Sequence, residues 1–387
     1  MKDIVYLDNA ASTRVAPEVM DAMLPYFGDF YGNASSIHAQ GFDARQAVKD
    51  ARQVIADSLN ASPKEIIFTS GGTESNNFAI KGVAFALREK GDHIITTKTE
   101  HKCVMKSCEW LESQGFEITY LDVDEEGYVN PEDIEKAITD KTILVSILHA
   151  NNEIGTIQDL EKIGALCEKH KVYFHSDACQ SYTKIPLDVK KAKLTLLTIN
   201  AHKINGPKGV GALYIKQFTK IDPLLHGGEQ EFRLRAGTEN TPGIVGFAKA
   251  VQMADKTDFT MMEQLRNQLI EGILLIPGTR LNGPRKRLCN NVNVSINAIE
   301  GEATEGMLDQ HGICSSTGSA CSEASLEPSY VLKAIGLTDE EANGSLRLTL
   351  SKETTDADVK KVIVVLPKVV ARLREISPIK EVKVHVQ

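Results

Sequence analysis

Between residues 42 and 255 the chain alternates two hydrophobic rhythms. Short β-rich runs recur: EIIFTS (65–70), HIITTK (93–98), EITYLD (117–122), TILVSILHA (142–150), VYFHSDA (172–178), LTLLTINA (194–201) and VGALYI (210–215). Several are separated by stretches with helical spacing, such as TESNNFAIKGVAFALREKG, where Phe78, Ile80, Val83, Ala84 and Leu87 suit one apolar face. Strands alternating with helices predict an α/β layer architecture around a mostly parallel sheet. Runs such as ILVSIL suit strands covered on both faces.

Past residue 258 the rhythm changes. A helix is expected over 259–274, then the strand CNNVNVSI, a helix at GEATEGMLDQHG, the strand SLRLTL and a long amphipathic helix over 355–375. Between them lies SSTGSACSEASLEPSYVL, which sets Cys321 among serine, threonine, glycine and alanine. Buried structural thiols usually have apolar neighbours, so this composition reads as a loop. The pattern divides the chain into a large unit, 15–258, and a smaller α+β unit built from 1–14 and 259–387 that carries the cysteine loop. A site between the two units is expected.

The totals narrow the function. The 387 residues carry a formal net charge of −8, with 42% hydrophobic and 25% charged residues. That is an ordinary globular composition, and its acidic balance disfavours non-specific binding to nucleic acid or an anionic membrane. The chain has no run of about 18 apolar residues, and the start MKDIVYLDNAAST has no secretory pattern, so a cytoplasmic protein is expected. Seven scattered cysteines without a Cys-x-x-Cys pair argue against a disulfide framework.

Five segments carry candidate chemistry. In FTSGGTESNN a strand ends, Gly71 and Gly72 turn the chain, and a helix opens at Thr73, an arrangement that binds phosphate or serves as an ordinary capped turn. The segment lacks both the nucleotide P-loop and the G-x-G-x-x-G pattern. In HSDACQ, Asp177 ends an apolar strand, where a carboxylate can cap a helix or hold the protonated nitrogen of a pyridine cofactor. In NAHKINGPKG, Lys203 follows a strand and precedes a tight turn, placed for a Schiff base with an aldehyde unless it is a solvated surface lysine. In TEHKCVMKSC, His101, Cys103 and Cys108 lack the usual zinc spacing, and an aromatic ring there can instead stack on a planar cofactor. In SLRLTL, Arg347 interrupts an apolar strand and needs a partner, either a bound carboxylate or an internal acid. The order of these signals matches a pyridoxal 5′-phosphate (PLP) enzyme of the aspartate-aminotransferase fold, fold type I.

The segments YLDNAAST, YGNASSIH, FTSGGTESNN, TEHKCV, HANNEIG, HSDACQ, AHKINGPKGVGALY, RAGTEN and GSACSEASLEPSYVL together resemble the cysteine desulfurases of the NifS/IscS type, from Tyr6 to about residue 375. The resemblance implies a homodimer with PLP bound to Lys203. It implies that Gly72, Thr73, Asn200 and His202 hold the phosphate, with Thr238 reaching it from the partner subunit. Asn152 and Gln180 would contact the pyridine hydroxyl, Asp177 the ring nitrogen and His101 the ring face. Arg347 would take the carboxylate of L-cysteine. Cys321 would attack the substrate sulfur and carry it as a persulfide to an iron–sulfur scaffold protein or another acceptor, for cluster assembly or thiolation of tRNA and cofactors. Transient ligation of a shared [2Fe–2S] cluster by Cys321 is a further implication. The other six cysteines are expected to be packing residues. A related PLP lyase acting on selenocysteine or cysteine sulfinate is the alternative. Departures from the family pattern are Asn200 in place of Ser, Glu229 in place of a third Gly, Phe232-Arg233 in place of Arg-Gly, and Ser351-Lys352 in place of Gly-Arg.

Overall fold

The computed structural model describes residues 4–254, 257–317 and 327–377. The strands are β1 (Val5–Tyr6), β2 (Ile66–Thr69), β3 (His93–Thr97), β4 (Glu117–Leu121), β5 (Thr142–Ser146), β6 (Tyr173–Asp177), β7 (Leu196–Asn200), β8 (Gly211–Ile215), β9 (Thr279–Leu281), β10 (Asn291–Ile296), β11 (Ile313–Cys314) and β12 (Ser345–Thr349). The helices are α1 (Pro17–Met23), α2 (Ala39–Ser58), α3 (Gly72–Ala86), α4 (Lys102–Ser113), α5 (Pro131–Ala137), α6 (Leu160–His170), α7 (Thr241–Ala254), α8 (Thr260–Leu274), α9 (Gly301–Gln310), α10 (Tyr330–Ala334), α11 (Asp339–Asn343) and α12 (Asp356–Ile376).

A seven-stranded sheet in the order β2-β8-β7-β6-β5-β3-β4 forms the centre. The pairs β4-β3, β3-β5, β5-β6 and β6-β7 are parallel, whereas β8 runs antiparallel to both β7 and β2. The expected mostly parallel sheet is therefore present, with β8 as its reversed member. Residues of β2, β3, β5, β6, β7 and β8 are buried almost throughout, because helices cover both faces. The apolar face read from the sequence of α3 is in the core: Phe78, Ile80, Val83, Ala84 and Leu87 pack with Ile67, Leu196 and Leu213.

A second core lies among α8, α12, β10 and β12, and Val5 and Leu7 from the start of the chain join it. There β10 pairs antiparallel with both β9 and β12, while β1 pairs parallel with β11. An isolated bridge between Asp8 and Thr349 carries the start of the chain on to β12. Separate hydrophobic clusters thus cover the central sheet and the elements around β10 and β12, and the cleft described below lies where the central sheet meets β12.

One buried ion pair fixes the edge of the central sheet. Arg52 on α2 meets Glu231 in a two-pronged contact, with Nη2 to Oε1 at 2.6 Å and Nη1 to Oε2 at 2.7 Å. Arg52 also donates to the carbonyl of Ile66, and the N–H of Phe68 donates to Glu231, so the pair grips the backbone of β2. Glu231, Phe232 and Arg233 all have positive φ, at 44°, 59° and 70°, conformations that L side chains adopt at a cost. Arg233 stands where the family pattern has glycine. The ion pair is what over-determines this turn. Replacing Arg52 with alanine leaves a buried carboxylate alone, and the expected loss is about 3–5 kcal/mol of stability. Chemical denaturation of Arg52→Ala against wild type measures it; an unchanged midpoint contradicts the assignment.

Candidate active site

The parallel strands deliver their carboxyl ends to one edge of the sheet, where ligands of α/β proteins sit. Asp177 is the last residue of β6 and Asn200 the last of β7, with His202 and Lys203 just beyond it. The segment after β3 brings Glu100 and His101, and His101 is the N-cap of α4. The turn after β2 brings Gly71 and Gly72 into α3. From the second core β12 contributes Arg347. Together these elements enclose a cleft of about 290 Å³ whose lining includes Gly72, Thr73, His101, Asn152, Asp177, Gln180, Asn200, His202, Lys203 and Arg347.

Of the site residues implied by the resemblance, Thr238 and Cys321 are not part of that lining. Thr238 is exposed and does not line the cleft of its own chain. Cys321 lies outside the described residues, as does the carboxyl-terminal tail from 378. The helix that was expected to open at Thr73 opens one residue earlier, at Gly72, and no side chain caps it. Gly71 has a φ of +150° and packs so close to β8 that a side chain at Gly211 would meet its Cα at 2.8 Å. A Cβ on Gly72 would stand 2.7 Å from Cys179 Sγ and 3.4 Å from Asn200 Nδ2. This turn therefore tolerates only glycine for steric as well as conformational reasons.

Asp177 is the electrostatic centre of the cleft. Its Oδ2 accepts from Asn76 Nδ2 at 2.6 Å and its Oδ1 from the N–H of Cys179 at 2.9 Å. Burial pushes its carboxyl up, while these donors pull it down, and the balance lies below the ordinary carboxylate range. Burial, reinforced by Lys203, lowers the pKa of His101, which favours the neutral ring near pH 7. Burial with Lys203, Lys208 and Lys184 pushes His202 down to about 4, so it too is neutral. Lys184, itself pushed down to about 8 by burial, donates to the carbonyls of Gln180 at 2.9 Å and Lys203 at 3.3 Å. It ties together two of the turns that line the cleft.

Arg347 is almost fully buried. Its Nη2 donates to Asp8 Oδ1 at 3.0 Å and its Nη1 to the carbonyl of Asn152 at 3.3 Å, whereas Nε has no partner among the described residues. Of the two kinds of partner the sequence allows, the fold supplies the internal acid along one side of the guanidinium.

Several cleft residues escaped the sequence reading. Cys103 and Cys179, expected among the packing thiols, both line the cleft. Cys103 Sγ lies 3.0 Å from His101 Nδ1 and 3.1 Å from Asn76 Nδ2, because the N-cap turn of α4 sets it beside the histidine. Burial and the Asp177 charge push its thiol up to about 12 and raise that of Cys179 as well, so neither is a ready thiolate. Cys108, grouped with His101 and Cys103 in the sequence, is instead buried in the apolar core around α3 and α4. Asp177 takes its place: the donor atoms of His101, Cys103 and Asp177 lie within 4.8 Å of one another. Glu153 also lines the cleft, and its only sequence signal was its place in HANNEIG.

A family model for class-V aminotransferases matches residues 5–362. The chain belongs to that family. Among the relatives of this class-V aminotransferase, it is 53% identical to the cysteine desulfurase IscS of Methanosarcina thermophila over 97% of this chain and 94% of that protein. It is 50% identical to the cysteine desulfurase IscS of Clostridium botulinum strain Hall, over 98% of each chain. A solved NifS-like protein superposes with a TM-score of 0.90 at 37% identity, covering 95% of this chain and 100% of the other. A structure of SspA in complex with cysteine superposes at 0.82 with 40% identity, over 89% and 98% of the respective chains.

The family's cofactor is PLP, and the cleft has the donor set for it. An amine, Lys203, and an ionised buried carboxylate, Asp177, line one cavity with an uncapped helix start at Gly72. The cradle at Gly72 is open only because no side chain fills it. Asn200 is buried, and its Oδ1 has no hydrogen-bond partner among the described residues, so the amide is free to turn its Nδ2 toward a phosphate. Gly72→Val puts branched carbon into that cradle. Its expected effect is an affinity for PLP at least about tenfold weaker with an unchanged circular-dichroism spectrum. Titration of the visible absorbance of bound PLP measures this, and wild-type affinity in the variant contradicts it.

Proposed function

We propose that this cleft removes sulfur from L-cysteine and passes it to Cys321, giving L-alanine and an enzyme persulfide. The observation that carries the reading is the convergence of Lys203, Asp177, His101, the Gly72 turn and Arg347 on one cavity of a chain about half identical to cysteine desulfurases. When bound, the pyridine ring withdraws electrons from the α-carbon of a condensed amino acid and so labilises its bonds.

The protein's residues divide the remaining work. Lys203 Nζ would hold the cofactor aldehyde, and as a free amine of the cleft lining it would take the Cα proton. Asp177 keeps the ring nitrogen protonated, since a buried ionised carboxylate stabilises a positive partner. His101, at its N-cap position in the cleft lining, would cover the ring face. Gly72, Thr73, Asn200 and His202 hold the phosphate with N–H donors and the helix dipole. Asn152 and Gln180 would orient the ring, and Arg347, which lines the cleft, would supply the guanidinium for the substrate carboxylate. In the sulfur step an S–S bond forms at Cys321 as the C–S bond of the substrate breaks. The thiol proton balances the alanine released, and no outside oxidant is needed.

The reading extends to assembly. Ile37, Tyr31, Phe27 and Phe42 are exposed by 97%, 73%, 65% and 56%, an apolar surface in the first part of the chain that a second copy would cover. A homodimer also gives Thr238 a cleft to serve, that of the partner subunit. The persulfide is then handed to an acceptor protein, with an iron–sulfur scaffold as the class suggested by the relatives named IscS. No helix of the described residues is long and apolar enough to cross a membrane.

Cys321→Ser tests the central step. The variant is expected to bind PLP and L-cysteine with wild-type absorbance changes yet to form no alanine above background. Alanine produced at the wild-type rate contradicts the assignment of the sulfur acceptor.

A further inference from the structure

Two buried carboxyl groups have no part in holding cofactor or substrate: Glu153 lines the cleft, and Glu100 precedes the lining residue His101 in the chain. Glu100 is engaged within its own surroundings, where its Oε1 accepts from Thr97 Oγ1 at 3.0 Å and from the N–H of Leu148 at 2.7 Å. Glu153 reaches outward. Its Oε2 accepts from Ser329 Oγ at 2.5 Å, across 176 positions of sequence, and both residues are buried.

The backbone of Glu153 is itself fixed. Its N–H donates to Asn151 Oδ1 at 2.8 Å, and its carbonyl accepts from Asn291 Nδ2 at 2.9 Å. Next along the chain, Ile154 packs with Val331, Leu332 and Ile335 of the α10 region. Ser329 is the N-cap of α10: the hydroxyl that donates to Glu153 also accepts from the N–H of Leu332 at 3.2 Å. The following residue makes a parallel link, since Tyr330 donates its hydroxyl to the carbonyl of Glu100 at 2.5 Å. The start of α10 is therefore pinned at two points, one next to Asn152 and one next to His101. In the sequence Ser329 stands eight positions after Cys321.

We propose that Glu153 is a positioning residue for sulfur transfer: by holding Ser329 Oγ it fixes the downstream root of the cysteine segment relative to Asn152, His101 and Arg347. The inference rests on the reading of Cys321 as the sulfur acceptor. It makes Glu153 necessary for delivering the thiol and dispensable for binding cofactor or substrate. Burial pushes the Glu153 carboxyl up to about 7, and in either protonation state an oxygen remains to accept the serine hydroxyl. Glutamine keeps such an oxygen and alanine does not.

The test compares wild-type holoenzyme with Glu153→Ala, Glu153→Gln, Ser329→Ala and the double variant Glu153→Ala/Ser329→Ala. Single-turnover mass spectrometry follows added sulfur on Cys321, while PLP absorbance and the KM for L-cysteine report on the cleft. Persulfide formation is expected to slow by about tenfold to a hundredfold in Glu153→Ala, as for a small misplacement of a reacting group. KM and PLP absorbance stay within about twofold of wild type. Glu153→Gln restores the rate, and the double variant is no slower than Glu153→Ala, because both changes remove the same bond. Should Glu153→Ala not fold, Ser329→Ala breaks that bond from the other side and must show the same loss. Wild-type persulfide rates in the variants overturn this inference alone, and so does a loss shared equally by KM and PLP binding. A wild-type enzyme that never carries sulfur on Cys321 overturns the functional reading and this inference together.

Discussion

A carboxylate buried at the end of a parallel strand has to be either neutralised or compensated, and the cleft is arranged around the compensation of Asp177. An unpaired buried charge costs several kcal/mol. Asn76 and the N–H of Cys179 meet both carboxylate oxygens, which keeps the group ionised in a cavity where it can hold a cationic ring nitrogen. The rest follows from that one requirement. Asn76 must be buried on α3, so the Gly72 turn comes to the same edge of the sheet. The Cys179 N–H must face back toward Asp177, which carries Gln180 into the cavity. His101 and His202 remain neutral beside it.

The second constraint is mechanical. The cleft draws residues from β2, β3, β6 and β7 on one side and from β12 on the other, so its geometry holds only while those elements keep their relative positions. Buried polar links do this: Arg52 with Glu231 at the edge of the sheet, Arg347 with Asp8 at β12, Lys184 across the Gln180 and Lys203 carbonyls. The first two cross long stretches of sequence, 179 and 339 positions, whereas Lys184 reaches only 4 and 19 positions to join two neighbouring turns of the cleft.

How much of this was legible beforehand depends on the range of the interaction. The strands and the main helices announce themselves through local hydrophobic spacing, and Phe78, Val83 and Leu87 lie in the core as that spacing requires. The residues at strand ends were also legible, because motifs such as HSDACQ and NAHKINGPKG concentrate reactive side chains just past an apolar run. What escaped were partnerships set by tertiary approach. Nothing in SLRLTL names Asp8 as the acid for Arg347, since 339 positions separate them. Cys103 already stood beside His101 in TEHKCV, but only the fold brings Asn76 and Asp177 to it. Glu153 looked like one more acid in a motif, and only the fold brings Ser329 to it. The reversed direction of β8 was equally invisible, because VGALYI is apolar whichever way it runs.

The account stands on one covalent assignment, that Lys203 is the amine that holds the cofactor. Borohydride reduction of the PLP-loaded protein followed by peptide mass spectrometry tests it directly. The expected result is a single pyridoxyl adduct on Lys203. An adduct on Lys184 or Lys102, two half-buried amines of this region, or no adduct in protein that has taken up PLP, would contradict it.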